Sequence, residues 1–152
     1  MAMHTDNEIV IEAAPEEVWR TANNVREWPR LFEGEYADSE ILREEPDRVV
    51  FRLTTVPDRN GVQRSWVSER VMDQEAGTVH ARRLETGPFL YMHIFQSFEK
   101  VPGGTRLRWV QDFEVLPEAP FTEQQMADRI NANSQVQLAR HKAVIEAAAH
   151  HG

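Results

Sequence analysis

The chain contains no cysteine, which excludes a disulfide frame, a thiolate nucleophile and a Cys-ligated metal site. Basic residues are also scarce: 17 Lys and Arg stand against 25 Asp and Glu, for a net charge of -8. That balance argues against nucleic acid, whose phosphates demand a basic surface, and equally against an anionic membrane. The stretch MAMHTDNEIV has no basic segment followed by an apolar run, and nothing further along approaches membrane-spanning length. A soluble, cytoplasmic protein is expected. The six histidines show no HExxH spacing and there is no Gly-rich phosphate loop, so no metal, nucleotide or other cofactor is expected. Repeats and low-complexity segments are missing too. With 152 residues the chain fits one domain, 1–152, with a real core and one site to look for.

What is present reads as a sheet followed by a long helix. NEIVIEA (Asn7 to Ala13) alternates as a strand does, and APEEVWRTANN has Pro15 at a first helical position with Glu16 and Glu17 complementing the helix N-terminus. In REWPRLFEGEY, Pro29 interrupts any long helix, while Trp28, Leu31 and Phe32 share the underside of a short turn. From residue 38 to 115 alternating runs are divided by EEPD, DRNG, QEAG, TGP and PGG. They predict strands near Asp38 to Glu44, Arg48 to Val56, Val62 to Met72, Thr78 to Glu85, Tyr91 to Lys100 and Thr105 to Leu116. From Thr122 to Ala149 the period turns helical, with Met126, Ile130, Leu138 and Ile145 in one stripe. Asn131, Ser134 and His141 interrupt that stripe, so part of the helix is expected to face a cavity, with Asn131 touching it. The whole predicts an α+β fold in which a curved antiparallel sheet wraps round one long helix and leaves an internal pocket.

One strand carries an unusual face. In RSWVSERV, Arg64, Trp66, Ser68 and Arg70 point one way and Ser65, Val67, Glu69 and Val71 the other. Solvent seldom calls for a tryptophan between arginines, and an apolar core does not accept unpaired guanidinium groups. The wall of a part-apolar, part-polar cavity accepts both. The same face invites a plainer account, in which Arg70 is a structural ion pair with an inward carboxylate. Trp19 and Trp109 serve equally as core, and His93 and His141, lacking an acid or base beside them, are read as hydrogen-bonded or exposed rather than catalytic.

Four spaced segments, WPRLFEGEYADSEIL, WVSERV, RRLETGPFLYM and RWVQDFEVLPEAPF, closely resemble the monodomain aromatase/cyclases of bacterial type II polyketide synthases, of the tetracenomycin and spore-pigment type. These belong to the helix-grip superfamily of Bet v 1-like and START-like domains, and the similarity runs in order from about Asn7 to Ile145. The resemblance implies an enzyme that accepts a linear poly-β-ketone from the acyl carrier protein of a minimal polyketide synthase. It folds that chain in a deep pocket and directs first-ring aldol closure, C9–C14 in the best-known branch, and aromatisation. The family's pocket residues fall on Trp28, Phe32 and Tyr36, on Trp66, Ser68 and Arg70, on Arg83, Phe89 and Met92, and on Trp109 and Gln111. Arg64 and Gln96 stand where the tetracenomycin-type sequence has tryptophans, which predicts a roomier or more polar pocket end if both point inward.

Ring closure of a poly-β-ketone needs control over which enol meets which carbonyl more than it needs a strong base. Well-oriented intramolecular reactions gain on the order of 7 kcal/mol or more over unrestrained encounter, and an aromatic wall can supply that orientation. Arg70, with Ser68, is the first choice to stabilise the developing alkoxide, and Tyr36 to protonate it. The competing function is a non-catalytic carrier of a hydrophobic ligand, since one fold hosts both. Inward polar groups are what separate the two.

Overall fold

The computed structural model describes residues 2–151. Strand β1 (Met3–Ile11) leads into helix α1 (Pro15–Ala22), a 3-10 turn (Val25–Glu27) and the four-residue helix α2 (Trp28–Leu31). Six strands follow: β2 (Tyr36–Glu45), β3 (Arg48–Thr55), β4 (Ser65–Asp73), β5 (Thr78–Arg83), β6 (Phe89–Val101) and β7 (Gly104–Val115). Helix α3 (Glu123–His151) closes the chain. All strands join one antiparallel sheet in the order β1-β7-β6-β5-β4-β3-β2, so successive hairpins build it and β1 returns to pair with β7. This is the expected helix-grip architecture.

Boundaries moved where pairing or turn chemistry overrode alternation. β1 begins at Met3 rather than Asn7, because His4 to Asp6 continue the ladder opposite Asp112 to Val110. β4 begins at Ser65, not Val62: Asp58 Oδ1 accepts from the backbone N–H of Asn60 and of Val62, which ties DRNGV into a loop of its own. β6 starts two residues early, at Phe89, through a register shift between Phe89 and Tyr91. That shift brings both Phe89 and Met92 into the buried set.

Helix α3 starts with reciprocal capping: Thr122 Oγ1 accepts from Gln125 N–H, while Gln125 Oε1 accepts from Thr122 N–H. Its underside buries Met126, Ala127, Ser134, Leu138, His141 and Ile145. Along one flank it is fastened to β1. The Asn7 amide donates to Asn131 and accepts from Gln135, Lys142 donates to Val10 O, and Glu146 accepts from Glu12 N–H. Along the other flank Arg140 pairs with Glu33, and Asn133 donates to Glu35. Two apolar clusters fill the space beneath. One lies under α1, α2 and the C-terminal half of the helix (Val18, Phe51, Leu107, Leu138, Ile145), the other under its start (Phe89, Phe113, Val115, Met126). Each fully buried side chain of this size contributes roughly 1.5 to 3 kcal/mol. Gly104, at φ 154°, lies so close to β1 that a Cβ there would meet Ile11 O at 2.0 Å.

Candidate active site

β4 carries the central group. Ser68 and Arg70 are buried and Trp66 is half-buried, whereas Ser65 and Val71, on the opposite face, are exposed. Arg70 is 2% exposed. Its Nε donates to Asn23 Oδ1 at 2.8 Å and its Nη2 to Gln96 Oε1 at 2.7 Å, and the guanidinium carbon lies 5.3 Å from the centre of the Trp28 ring. No carboxylate pairs with it among the described residues, so the plainer account of Arg70 as half of an ion pair fails. Burial without a counter-charge pulls its pKa down to about 9.

Aromatic rings surround this charge. Trp28 packs on Phe32, Tyr36 and Phe51, with ring centres 5.1, 6.2 and 5.3 Å away, and Phe32 stacks on Trp109 at 6.0 Å. Trp28 Nε1 donates to Ala22 O, which fixes its ring. Towards the far end of β4, Tyr36 meets Trp66 at 6.2 Å, and Arg83 lies over the Trp66 ring at 4.3 Å and the Phe89 ring at 5.3 Å. Burial brings Arg83 down to about 10, against the pull of Tyr36 and Glu85. Burial also pushes the Tyr36 hydroxyl well above the usual tyrosine range; the Glu35 carboxyl adds to this, and Arg83 opposes it.

The structure thus brings together Trp28, Phe32, Tyr36, Trp66, Ser68, Arg70, Arg83, Phe89, Gln96 and Trp109. Met92 is buried in the neighbouring cluster around Phe113. Gln111 follows Trp109 by two residues on β7 and is half-buried, opposite Thr5, whose buried hydroxyl has no partner among the described residues. Two expectations are corrected. Arg64 precedes β4, is 61% exposed and pairs with Asp58 at 3.2 Å, so it faces the loop and not the interior. Asn131 is exposed on α3 and its amide oxygen is taken by Asn7, which makes it a fastener to β1 rather than a cavity group.

Three inward polar residues, Asn23, Glu35 and Gln137, were not anticipated, and they join His141, which the helix stripe already places on the inner face. Asn23, the last cap of α1, forms part of the wall of an open cavity of about 490 Å³ between α1 and the β2–β3 turn. Glu35 has one oxygen bonded to Asn133 and lies with its buried carboxyl beside the Tyr36 hydroxyl; burial raises its pKa, against the pull of both contacts. Gln137 is buried with its amide oxygen unpartnered among the described residues. His141, 1% exposed, donates Nδ1–H to Gln137 O at 2.7 Å, because a carbonyl can only accept, and so keeps its lone pair on Nε2. Phe32 and Trp109 meet its ring at 4.8 and 5.1 Å. Burial lowers its pKa to about 4, with Arg70 among the charges opposing protonation. It is hydrogen-bonded, as expected, and neutral.

Residues 2–146 match the family model described as polyketide cyclase / dehydrase and lipid transport. The chain belongs to this family. A protein of Streptomyces cyaneus named "Putative polyketide cyclase" is 51% identical over 139 residues, which is 91% of either chain. One of the same name from Streptomyces halstedii is 54% identical over 110 residues, 72% of this chain and all of the relative. Among solved structures, the Zhui aromatase/cyclase of Streptomyces sp. R1128 superposes with a TM-score of 0.79 over 99% of this chain and 94% of its own, at 19% identity. At that identity the likeness is one of fold. Among the described residues there is no helix long and apolar enough to cross a membrane and no group of three or more acidic or histidine side chains placed to hold a metal ion.

Proposed function

We propose that this polyketide cyclase-family protein is a cytoplasmic aromatase/cyclase. It receives a linear poly-β-ketone from the acyl carrier protein of a minimal polyketide synthase, closes the first ring by a C9–C14 aldol reaction and aromatises it, on the way to a product such as a spore pigment. The observation that carries this is Arg70: a guanidinium buried against the Trp28 ring with no carboxylate to neutralise it among the described residues. In the aldol step the enol carbon forms a bond to a ketone carbon and the carbonyl electron pair moves onto oxygen. Arg70, assisted by Ser68, stabilises that oxygen, and the Tyr36 hydroxyl protonates it while the methylene proton leaves through water. Loss of the resulting hydroxyl with a neighbouring ring proton as water, followed by enolisation of the remaining ring ketones, gives the aromatic ring. Trp28, Phe32, Trp66, Phe89 and Trp109 supply the mould that bends the chain, and Arg83, Met92 and Gln111 hold its further reaches.

Carrier-protein docking requires a local basic patch, because the molecule as a whole is acidic. Arg26 is spent on Glu44, in a two-pronged pair. Arg20 and Arg30 are exposed, their side chains without partners among the described residues, and they fit that role better. The family description also includes lipid transport, and a carrier would bind a guest without depending on a buried charge. Reconstitution with a minimal synthase separates the two readings. Wild-type protein should shift the products to the correctly cyclised aromatic, Arg70→Ala should abolish that shift while remaining folded, and Arg70→Lys should lose most of it for want of the planar fork. An unchanged product profile from folded Arg70→Ala would sink the cyclase reading.

A further inference from the structure

Arg70 is set apart among the arginines of this acidic chain by being buried with no carboxylate beside it among the described residues. Arg26, Arg48, Arg64, Arg82, Arg106 and Arg108 all pair with carboxylates. Arg70 is instead bracketed by two amides that come from distant parts of the chain, Asn23 at the end of α1 and Gln96 on β6. The strand between β4 and β6 makes room for this: Ala81 on β5 is the register partner of Arg70 and presents only a methyl group. Asn23 is itself fixed, its Nδ2 donating to Trp19 O at 3.0 Å. The Gln96 side chain is buried beside Trp109, its register partner on β7. Two guanidinium nitrogens are therefore occupied, while Nη1 has no acceptor among the described residues.

We propose that Asn23 and Gln96 are positioning residues for Arg70, and that their being amides rather than carboxylates keeps the Arg70 charge available to the oxygen on which negative charge develops. An amide oxygen satisfies an N–H and fixes the plane of the guanidinium without cancelling its charge; a carboxylate in the same place forms an ion pair whose field at a third atom is weak. The arrangement leaves Nη1 as the nitrogen for the substrate oxygen. Burial supports this, since the guanidinium has lost proton affinity to desolvation with no charge returning it. His141, the histidine close enough to feel Arg70, is held neutral and does not compete for the charge. Gln96 thereby acquires a role of its own: it aims the charge.

The inference rests on the cyclase reading, and the test keeps the two apart. Gln96→Glu changes one NH2 to oxygen and places a carboxylate against Nη2. The variant should melt at or above the wild-type temperature, because a buried charge gains its partner, yet lose correctly cyclised product in the minimal-synthase assay by roughly the hundredfold or more seen when an oxyanion donor is disabled. Asn23→Asp applies the same change from the other side of the guanidinium and serves if Gln96→Glu does not fold. A merely structural role predicts that activity follows stability. A folded Gln96→Glu or Asn23→Asp with wild-type turnover, in an assay where Arg70→Ala is inactive, overturns this inference alone. Wild-type products from Arg70→Ala overturn the cyclase reading as well.

Discussion

Replacing the charged bracket by apolar side chains, in the double variant Arg70→Met with Gln96→Leu, should make the protein more stable and inactive. The fall of the Arg70 pKa to about 9 is roughly three and a half powers of ten from the usual arginine range, which at about 1.36 kcal/mol each makes the buried charge cost the fold about 5 kcal/mol. The two charge-assisted bonds to amides return about 3 kcal/mol at the low end of their range, leaving a net penalty of about 2 kcal/mol. Asn23 adjoins an open cavity and can be rehydrated once its partner is gone. Packing two apolar chains adds roughly 1 kcal/mol. A gain of about 3 kcal/mol at about 2 to 4 °C each raises the melting temperature at neutral pH by roughly 6 to 12 °C. The sign with pH is also fixed: a base with a depressed native pKa binds fewer protons folded than unfolded above that pKa. The penalty is therefore complete below pH 9 and relieved as pH rises through it. Calorimetric melts at neutral pH and above pH 9 measure both effects, and the wild type should gain on the variant at the higher pH. A folded double variant that melts at or below the wild-type temperature at neutral pH refutes the claim that Arg70 is a net burden on the fold.

His141, also a base with a depressed native pKa, gives the same sign in an acid window. With its native pKa near 4, the neutral form contributes roughly 3 kcal/mol that is complete above pH 6.5 and lost as pH falls towards 4. Melts across that range should show the decline in wild type, and His141→Phe should flatten it. Gly104→Ala should destabilise by more than about 1 kcal/mol, because a Cβ would collide with Ile11 O. Urea titration should show a lower midpoint, and an unchanged one would mean that β1 yields more readily than its ladder suggests.

Much of the sheet was legible because turn residues mark its hairpins and two-residue alternation marks its faces. The inward set Trp66, Ser68 and Arg70 follows from that alternation alone. The misplacement of Arg64 has a local cause: Asp58 reorganises the loop before β4, so alternation counted back from Trp66 runs past the end of the strand. Asn131 misled for a different reason. The buried positions Ser134, Leu138, His141 and Ile145 set the helix phase, and Asn131 falls at its flank, where β1 offers Asn7 as a partner. The bracket round Arg70 was illegible because it joins residues 47 and 26 positions apart. Gln96 and Arg70 meet diagonally across β5, over Ala81 and Val79, and no local pattern encodes that.

An open seven-stranded sheet has two edge strands, here β1, which α3 fastens along part of its length, and β2, each offering backbone groups on which another chain could polymerise. β2 is broken by two register shifts and studded with Asp38, Glu40, Arg43, Glu44 and Glu45. β1 is regular, yet it turns His4, Asp6 and Glu8 outward, and the acidic excess of the molecule makes two copies repel. Neither margin presents a flat, neutral ribbon. The same acidic surface therefore also guards the sheet against edge-to-edge aggregation, so the protein can accumulate without its strands finding one another.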